Sequence, residues 1–244
     1  MNRFYSDSGN ISGDKIIISD KSQVHHIKDV LRLEAEEEVV VFDDKGREYI
    51  SVIEKLLPKE VVIRIMKEKK IALAPKVRVT VACAIPKKSK MDDIIDKLTQ
   101  LGVDRIIPLL TERVIVKLDK RKEILRKERW EKIALSSAKQ SQRNIMPVVE
   151  PVRGIKEVLS ASEEYDLKLI PTLFGERKSL REVLNKSSAR NILFLIGPEG
   201  DFSEEEVELA KKAGFLAISL GDSVLRVETA ALCVASFIRI HENG

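Results

Sequence analysis

The amino-acid sequence predicts an α/β protein in which a parallel sheet with helices on both faces follows a small β-barrel domain. Two observations support this fold class. From residue 77 onward, short apolar segments alternate with amphipathic helical segments, the order that builds a parallel sheet covered by helices. About the first 70 residues contain several short β-branched segments instead, which is typical of a small barrel. The charged stretch KEKKIALAPK separates the two regions, so we divide the chain into domains of residues 1–72 and 73–244.

In the N-terminal domain, β-branched segments predict four strands: KIIIS, EVVVFD, EYISVIEKL and EVVIRIM. The sequence DDKG, between the second and third, has the composition of a hairpin turn. One segment, SQVHHIKDVLRL, has the periodicity of a helix, with Val24, Ile27, Val30 and Leu31 at helical spacing. The domain is therefore predicted to be mostly strand, with a single helix.

In the C-terminal domain, helices alternate with the predicted strands VRVTVACAI, DRIIPLL, DLKLIPTL, NILFLIG and FLAISLG. The first helix is SKMDDIIDKLTQLG, with Ser89 as its N-cap and Gly102 as its stop. Its predicted apolar face consists of Met91, Ile94, Ile95, Leu98 and Leu101. Further helices are predicted from about Lys120 to Gln142, near residues 177–184, over residues 204–213, and from residue 227.

The composition excludes several classes of protein. No apolar run reaches the roughly 18 residues of a membrane span, and the N-terminus MNRFYSDSGN has no apolar signal-peptide core. We therefore expect a cytoplasmic protein without a membrane partner. Its two cysteines, Cys83 and Cys233, lie in apolar segments and are expected to be buried thiols. The three histidines lack the spacing of metal ligands, so no metal site is expected.

Positive charge is concentrated in the middle of the chain. Residues 76–153 contain 19 Lys and Arg against 10 Asp and Glu, a net charge of +9, whereas the whole chain carries only +4. A basic region of this kind is typical of a nucleic-acid-binding surface. The alternative is that LDKRKEILRKERWEK forms a solvated helix face with Glu–Lys pairs.

Two loops follow predicted strands at the carboxyl edge of the sheet, where parallel α/β sheets bind ligands. The first is IGPEGDFS, in which Pro198 makes the backbone rigid and Ser203 with Glu206 predicts a capping box for the next helix. The second is LGDSVLRVETA, which leads into the last helix. Because glycines let the backbone approach a ligand closely, we place the candidate ligand site at these loops.

Neither loop has the sequence of a phosphate-binding loop, since it contains neither G-x-G-x-x-G nor Gly-Lys-Ser/Thr. Glu199, Asp201 and the three glutamates at 204–206 would repel an anion. A cofactor without phosphate and with a cationic centre, such as S-adenosylmethionine, fits these loops better. The alternative is a pair of tight turns before helices whose acidic N-termini are favoured by the helix dipole.

Read together, LIGPEGDFSEEE and SLGDSVLRVETAAL resemble the paired signature of the bacterial 16S ribosomal RNA uracil-N3-methyltransferase family, the small subunit methyltransferase E type of the SPOUT class. The segments HHIKDVLRL and VVVFDDKG resemble its N-terminal PUA-like domain. Its central segments are similar to SKMDDIIDKLTQLGVDRIIPLLTERVIVKL and RWEKIALSSAKQSQRNIMPVVEPV. The similarity runs in order along essentially the whole chain. It implies a PUA-like β-barrel that binds RNA, followed by a SPOUT parallel sheet with a C-terminal trefoil knot.

The resemblance implies an enzyme that uses S-adenosylmethionine to methylate N3 of a uridine in 16S ribosomal RNA, uracil 1498 in the family. The implied partners are 16S ribosomal RNA in the assembled 30S subunit and a second copy of the chain in a homodimer. Two alternatives stay open, namely a knotted methyltransferase that acts on another RNA such as transfer RNA, and a ribosome-assembly factor without catalytic activity. A small-molecule enzyme would leave the basic segment without a role.

The resemblance also implies that the backbone of the two loops holds the methyl donor. The implied cofactor-binding residues are Thr172, Leu173, Gly197, Pro198, Glu199, Gly200, Leu220, Gly221, Leu225, Arg226, Thr229 and Ala230. The chain departs from the family pattern at Asp201, where glycine is more common, and we expect a less open backbone there. It also departs at Asp222 and Ser223, which replace a pair that is often proline or basic, so an RNA contact is expected to come from elsewhere.

Methylation of N3 requires loss of the N3 proton, so the site needs a base or a cation that stabilises the uracil anion. Arg226 is the candidate cation, and a salt bridge to Glu228 is the alternative role. Glu199 and Glu228 are the candidate bases, although either could instead hold backbone N–H groups of the loop. For RNA binding the resemblance implies Gln140, Arg143 and then Arg113. The alternatives are a surface amide for Gln140 and a charge that complements the helix dipole for Arg143.

Overall fold

The computed structural model describes residues 1–69, 77–87, 90–114, 119–143 and 145–243. Contacts divide the chain into two compact units. One unit consists of Met1–Ala74 with Ala138–Met146, and the other of Pro75–Ser137 with Pro147–Gly244. The predicted domain boundary between residues 72 and 73 lies outside the described residues.

In the described part of the chain, the first unit contains the strands β1 (Asn2–Tyr5), β2 (Ile11–Ser12), β3 (Lys15–Ile18), β4 (Glu38–Phe42), β5 (Glu48–Leu56) and β6 (Val61–Lys69). They form a six-stranded sheet with the order β1-β4-β5-β6-β3-β2. The β1–β4 pair is parallel, and the other pairs are antiparallel. Helix α1 (Lys21–His25) continues as a π-helical turn over His26–Val30. The four predicted strands and the predicted helical segment are therefore present, whereas β1 and β2 were not predicted.

The turn between β4 and β5 has the predicted hairpin character. The fully buried carboxylate of Asp43 accepts hydrogen bonds from the backbone N–H groups of Lys45 and Arg47, each at 2.9 Å. The Arg47 guanidinium lies 2.6 Å from the same carboxylate. Gly46 has a φ of 74°, a conformation that glycine adopts without strain. Local residues thus satisfy this buried charge within the turn itself.

Within the residues that the structure describes, the second unit contains an eight-stranded sheet in which every pairing is parallel. Its strands are β7 (Arg78–Ala84), β8 (Arg105–Leu110), β9 (Val148–Val149), β10 (Arg153–Gly154), β11 (Leu167–Pro171), β12 (Lys178–Ser179), β13 (Asn191–Ile196) and β14 (Leu216–Ser219). The order is β10-β8-β7-β13-β11-β14-β12, with β9 paired to β8. Its helices are α2 (Lys90–Gln100), α3 (Lys120–Gln140), α4 (Ile155–Ser160), α5 (Leu180–Asn185), α6 (Glu204–Lys212) and α7 (Val227–Asn243). The last turn of α3 belongs to the first unit.

Helices cover both faces of the parallel sheet, as predicted. Along β13, Phe194 belongs to a buried cluster with residues of α2, α3, α5 and α7. The neighbouring Leu193 and Leu195 belong to a second cluster with residues of α4 and α6. Because successive side chains of a strand point to opposite faces, this alternation places an apolar layer on each side. The continuous apolar run NILFLI is therefore the signature of a strand buried on both faces.

Most helix predictions agree with the structure in type and position. In α2 the predicted apolar face is buried, with Leu101 half-buried, and Gly102 ends the helix with a φ of 85°. The predicted N-cap, Ser89, lies outside the described residues. The helix predicted near residues 177–184 begins instead at Leu180, because the Ser179 hydroxyl caps it by accepting the Glu182 N–H at 3.1 Å. Cys83 is buried as predicted, but Cys233 is exposed on α7, so that prediction was wrong.

Candidate functional site

Three neighbouring strands of the parallel sheet end at a common cavity. Strands β13, β11 and β14 are adjacent, and their carboxyl ends lie at Ile196, Pro171 and Ser219. A cavity of about 260 Å³ is formed by the segments that follow them. These segments are the 197–201 loop after β13, the 172–177 segment after β11, and the 220–226 loop after β14. The carboxyl edge of a parallel sheet is where α/β folds bind their ligands.

Most of the residues predicted to bind the cofactor line this cavity. They are Thr172, Leu173, Gly197, Pro198, Glu199, Gly200, Leu220, Gly221, Leu225 and Ala230. Arg226, Glu228 and Thr229 are not among the lining residues. Arg177, Asp201, Ser223 and Val224 do line it, although the sequence did not predict them as cofactor contacts. The two predicted loops therefore converge on one cavity, and the 172–177 segment forms its third wall.

The 197–201 loop is a tight turn packed on a buried aromatic ring. Its turn is closed by the Asp201 N–H, which donates to the Pro198 carbonyl at 2.9 Å. A Cβ atom at Gly197 would lie 3.0 Å from two ring carbons of Phe202, which is fully buried. The absence of a side chain at Gly197 is thus what lets the loop lie directly on this ring. The φ angle of Asp201 is 60°, in the left-handed region.

Asp201 links two walls of the cavity. Its Oδ2 atom accepts hydrogen bonds from the Leu173 N–H at 2.8 Å and from the Thr172 hydroxyl at 3.1 Å. Its Oδ1 atom accepts the Phe202 N–H at 2.8 Å. Aspartate tolerates the left-handed conformation better than most residues because its short side chain can bond nearby backbone. The Asp201 carboxylate therefore cross-links the 197–201 loop to the 172–177 segment.

The start of α6 is anchored as the sequence predicts. Ser203 and Glu206 form a capping box, in which the Ser203 hydroxyl accepts the Glu206 N–H and the Glu206 carboxylate accepts the Ser203 N–H. The buried Glu206 carboxylate also accepts the Glu112 N–H at 2.8 Å, which holds the end of β8 against the helix. Next to it, the exposed Arg113 donates from its guanidinium to the Gly200 carbonyl. Arg113 therefore lies beside the 197–201 loop.

The 220–226 loop turns on a glycine and leads into α7. Gly221 has a φ of 115°, which L side chains rarely adopt. The Ser219 hydroxyl closes the turn, since it accepts the Gly221 N–H at 3.3 Å and donates to the Gly221 carbonyl at 3.2 Å. The Arg226 carbonyl accepts the Ala230 N–H at 2.8 Å, while the Arg226 side chain is exposed. The loop also presents Val224, which is 72% exposed, beside the cavity.

The two candidate bases have different surroundings. Glu199 is exposed and lines the cavity. Glu228 is half-buried, and its carboxylate accepts a hydrogen bond from the Lys90 ammonium at 3.0 Å. Burial raises the pKa of Glu228, but backbone and Lys90 hydrogen bonds and the charges of Lys90 and Arg226 outweigh it, so the net pKa is lowered. Of the two carboxylates, Glu199 therefore lines the cavity, whereas Glu228 is paired with Lys90.

The other predicted RNA-binding residues lie in the first unit, at the end of α3. Gln140 is exposed and Arg143 is half-buried, and the Arg143 N–H donates to the Ala138 carbonyl at 2.9 Å. Next to them, the Lys139 ammonium donates to the Gln23 side chain at 3.0 Å. Burial lowers the pKa of Lys139, partly offset by the charge of Asp20. Arg113, in contrast, belongs to the unit that contains the cavity.

The described ranges contain neither a membrane-spanning helix nor a cluster of metal-binding side chains. None of their helices is long and apolar enough to cross a membrane. Within the same ranges, no group of three or more His, Cys, Asp or Glu side chains is arranged to hold a metal ion. The polar side chains that line the cavity belong to Thr172, Arg177, Glu199, Asp201 and Ser223.

Comparisons with known proteins point to one family. An RNA methyltransferase domain model matches residues 73–239, and an RNA methyltransferase PUA domain model matches residues 18–66. Ribosomal RNA small subunit methyltransferase E of Mesomycoplasma hyopneumoniae is 33% identical over 211 residues, which cover 86% of this chain and 87% of the relative.

Two solved structures are similar along nearly the whole chain. The Neisseria gonorrhoeae protein with the same name, solved with S-adenosylmethionine bound, is 30% identical with a TM-score of 0.87 and covers 98% of this chain and 97% of its own. A Legionella pneumophila protein, solved in complex with the same cofactor, is 31% identical with a TM-score of 0.87 over 98% of this chain and 96% of its own.

Proposed function

This chain belongs to the ribosomal RNA small subunit methyltransferase E family, and we propose from that premise that it methylates N3 of a uridine in 16S ribosomal RNA. Its general activity is RNA methylation, and its methyl donor is S-adenosylmethionine. The finer proposal is that the target is uracil 1498, that the acceptor is the assembled 30S subunit, and that the protein acts in the cytoplasm. The proposal rests above all on the cavity at the ends of β11, β13 and β14.

The residues of this cavity fit S-adenosylmethionine chemically. Glycines at positions 197, 200 and 221 expose backbone to the ligand, as a flat adenine and ribose require. Glu199 and Asp201 are the carboxylates that line the cavity, and they suit a ligand with sulfonium and ammonium groups. When bound, S-adenosylmethionine would supply an electrophilic methyl group, whose bond to sulfur would break as deprotonated N3 bonds to the methyl carbon, leaving the neutral thioether S-adenosylhomocysteine. We assign donor binding to the ten predicted residues that line the cavity, namely Thr172, Leu173, Gly197, Pro198, Glu199, Gly200, Leu220, Gly221, Leu225 and Ala230. We also retain Thr229, at the start of α7, as a proposed contact.

The residues around the cavity must orient the uracil and remove its N3 proton. We propose that the exposed Glu199 carboxylate accepts this proton, because Glu228 is already paired with Lys90. The exposed Arg226 guanidinium is proposed to hold a uracil carbonyl or a phosphate. Glu228 then acts by holding Lys90 rather than by accepting the proton.

RNA contacts outside the cavity are proposed for Arg113, Gln140 and Arg143. Arg113 lies against the 197–201 loop through the Gly200 carbonyl. Its guanidinium keeps further N–H donors that can bind phosphate. The basic segment 76–153 would add contacts that set affinity rather than sequence preference.

Two structural features of the family complete the proposal, a trefoil knot and a homodimer. The strand order supports the knot, since β11 lies between the later strands β13 and β14. A crystal structure traced through residues 191–243 tests it, and an unknotted trace would contradict it. Support for the dimer comes from α7, on which Ile240 is 74% exposed. A sedimentation mass of twice 27.6 kDa is expected, and a mass of 27.6 kDa would exclude a stable dimer.

The test of the proposed function is transfer of a labelled methyl group from S-adenosylmethionine to three acceptors. These are unmodified 30S subunits, naked 16S ribosomal RNA and bulk transfer RNA. We expect the label as 3-methyluridine in the 30S sample. Label in transfer RNA alone would show that the enzyme acts on another RNA instead of 16S ribosomal RNA. Donor binding without transfer to any of the three would exclude the proposed acceptors, and no donor binding would favour an assembly factor.

A further inference from the structure

We propose that Asp201 is a positioning residue for the methyl donor. Its carboxylate ties the 197–201 loop to the 172–177 segment and so holds two walls of the cavity at a fixed separation. The inference rests on the proposed function of the cavity as the donor site. It adds a role for a residue that departs from the family pattern.

The contacts of Asp201 are arranged across the cavity rather than along the chain. One carboxylate oxygen accepts both the Leu173 N–H at 2.8 Å and the Thr172 hydroxyl at 3.1 Å. These partners are 28 and 29 residues away in sequence, on the neighbouring strand end. The other oxygen accepts the Phe202 N–H at 2.8 Å, which orients the carboxylate. Three donors from two segments of the chain thus hold both oxygens of this carboxylate, which makes the link a rigid one.

Thr172 is the buried end of this link. It is 6% exposed, and its hydroxyl both donates to Asp201 and accepts the Phe174 N–H at 3.2 Å. Its own N–H donates to the Ile218 carbonyl at 3.3 Å, and its carbonyl accepts from the Arg177 guanidinium at 3.2 Å. Thr172 therefore joins the ends of β11 and β14. Through Asp201 the end of β13 becomes part of the same network.

The conformation of Asp201 explains why the link needs this side chain. At a φ of 60° most L-residues are strained, and glycine would be relaxed. Glycine would nevertheless remove every acceptor that the Leu173 N–H and the Thr172 hydroxyl now use. Asparagine tolerates the same backbone conformation and keeps one carbonyl oxygen, so it preserves part of the link. A comparison of aspartate, asparagine and glycine at position 201 therefore distinguishes the effect of backbone strain from the effect of the carboxylate contacts.

The experiment measures S-adenosylmethionine binding to the full chain by calorimetry for wild type, Asp201→Gly, Asp201→Asn, Thr172→Val and the double variant Asp201→Gly with Thr172→Val. We expect donor affinity to fall by about tenfold in Asp201→Gly and by about threefold in Asp201→Asn and in Thr172→Val. The double variant should be no weaker than Asp201→Gly alone, since both changes break one network. The control is Glu204→Gln, which removes an exposed carboxylate at the start of α6 and should leave affinity unchanged.

Steady-state kinetics separate positioning from a purely structural role. If Asp201 positions the donor, Asp201→Gly raises the KM for S-adenosylmethionine by a similar factor while kcat at saturating donor stays near the wild-type value. A folded Asp201→Gly variant with wild-type donor affinity would overturn this inference but not the proposed function. The same holds if the affinity loss of the double variant equals the product of the losses in the two single variants. Where Asp201→Gly does not fold, unchanged affinity in Thr172→Val overturns it. Absence of donor binding by wild type would overturn the proposed function and this inference together.

Discussion

Replacing Gly197 by alanine tests whether the 197–201 loop depends on close packing. The new Cβ atom would lie 3.0 Å from two ring carbons of Phe202 and 3.3 Å from Oδ1 of Asp201. Phe202 is fully buried in the cluster beneath the loop, so its ring cannot move into solvent. The backbone of Gly197 is outside the left-handed region, so alanine meets a packing conflict rather than a backbone one.

The expected change in the unfolding free energy of Gly197→Ala is the sum of two opposing contributions. Overpacking a buried contact costs about 1–3 kcal/mol of unfolding free energy. Replacing glycine by alanine at a compatible backbone conformation recovers about 0.4–1 kcal/mol by restricting the unfolded chain. Gly200→Ala is a matched control, because its Cβ would lie 3.5 Å from Cδ of Arg113, an ordinary contact. The entropy term is common to both variants, so their difference isolates the packing cost of about 1–3 kcal/mol.

The assay is urea unfolding of both variants and wild type, followed by circular dichroism without ligand. We expect Gly197→Ala to be less stable than Gly200→Ala by the packing cost, with the same urea dependence. We also expect weaker donor binding in Gly197→Ala, because relief of the clash must shift the loop. Equal unfolding free energies for the two alanine variants would refute the packing argument.

Three further outcomes are expected. Lys90→Met should lower the unfolding free energy by about 0.2–1 kcal/mol at pH 7. The Glu228 pKa is lowered from 4.5 in the folded protein, so the stability that its pairing with Lys90 contributes is lost as the pH falls through the pKa of the folded state. The effect of Lys90→Met should therefore vanish in acid, and an effect independent of pH would contradict the pairing. Trp130→Phe should cost about 1–3 kcal/mol in urea unfolding, since the buried indole N–H donates to Asp92 at 3.1 Å, and a neutral result would show that this bond contributes nothing. In a variant that keeps Cys83 as its only cysteine, burial raises the thiol pKa, so a thiol reagent should react only after unfolding; rapid reaction of the native protein would contradict its burial.

The fold was predictable for those segments whose apolar residues form a strong local pattern. The runs VRVTVACAI and NILFLI lie in a parallel sheet because predominantly apolar segments of that length suit burial on both faces. The two-residue strand β2 is too short to show any periodicity, and in β1 only Phe4 is buried. Helix α5 begins later than predicted because a serine cap, rather than the apolar pattern, sets its first residue.

The site was predictable to the extent that it is made of backbone. Gly197, Pro198 and Gly221 mark their loops by conformational properties that the sequence displays directly. Asp201 and Lys90 act through partners 28 and 138 residues away, and no local pattern indicates such pairings. The carboxylate at position 201 was therefore predicted to restrict the backbone, whereas the structure shows that it joins two walls of the cavity.

The most direct test of the account is a crystal structure of the protein with S-adenosylmethionine or its demethylated product. We predict electron density for the ligand between the 197–201 and 220–226 loops, with the Asp201 carboxylate still bonded to Leu173 and Thr172. Density at any other position, with this cavity empty, would contradict the assignment of the three loop segments as the donor site.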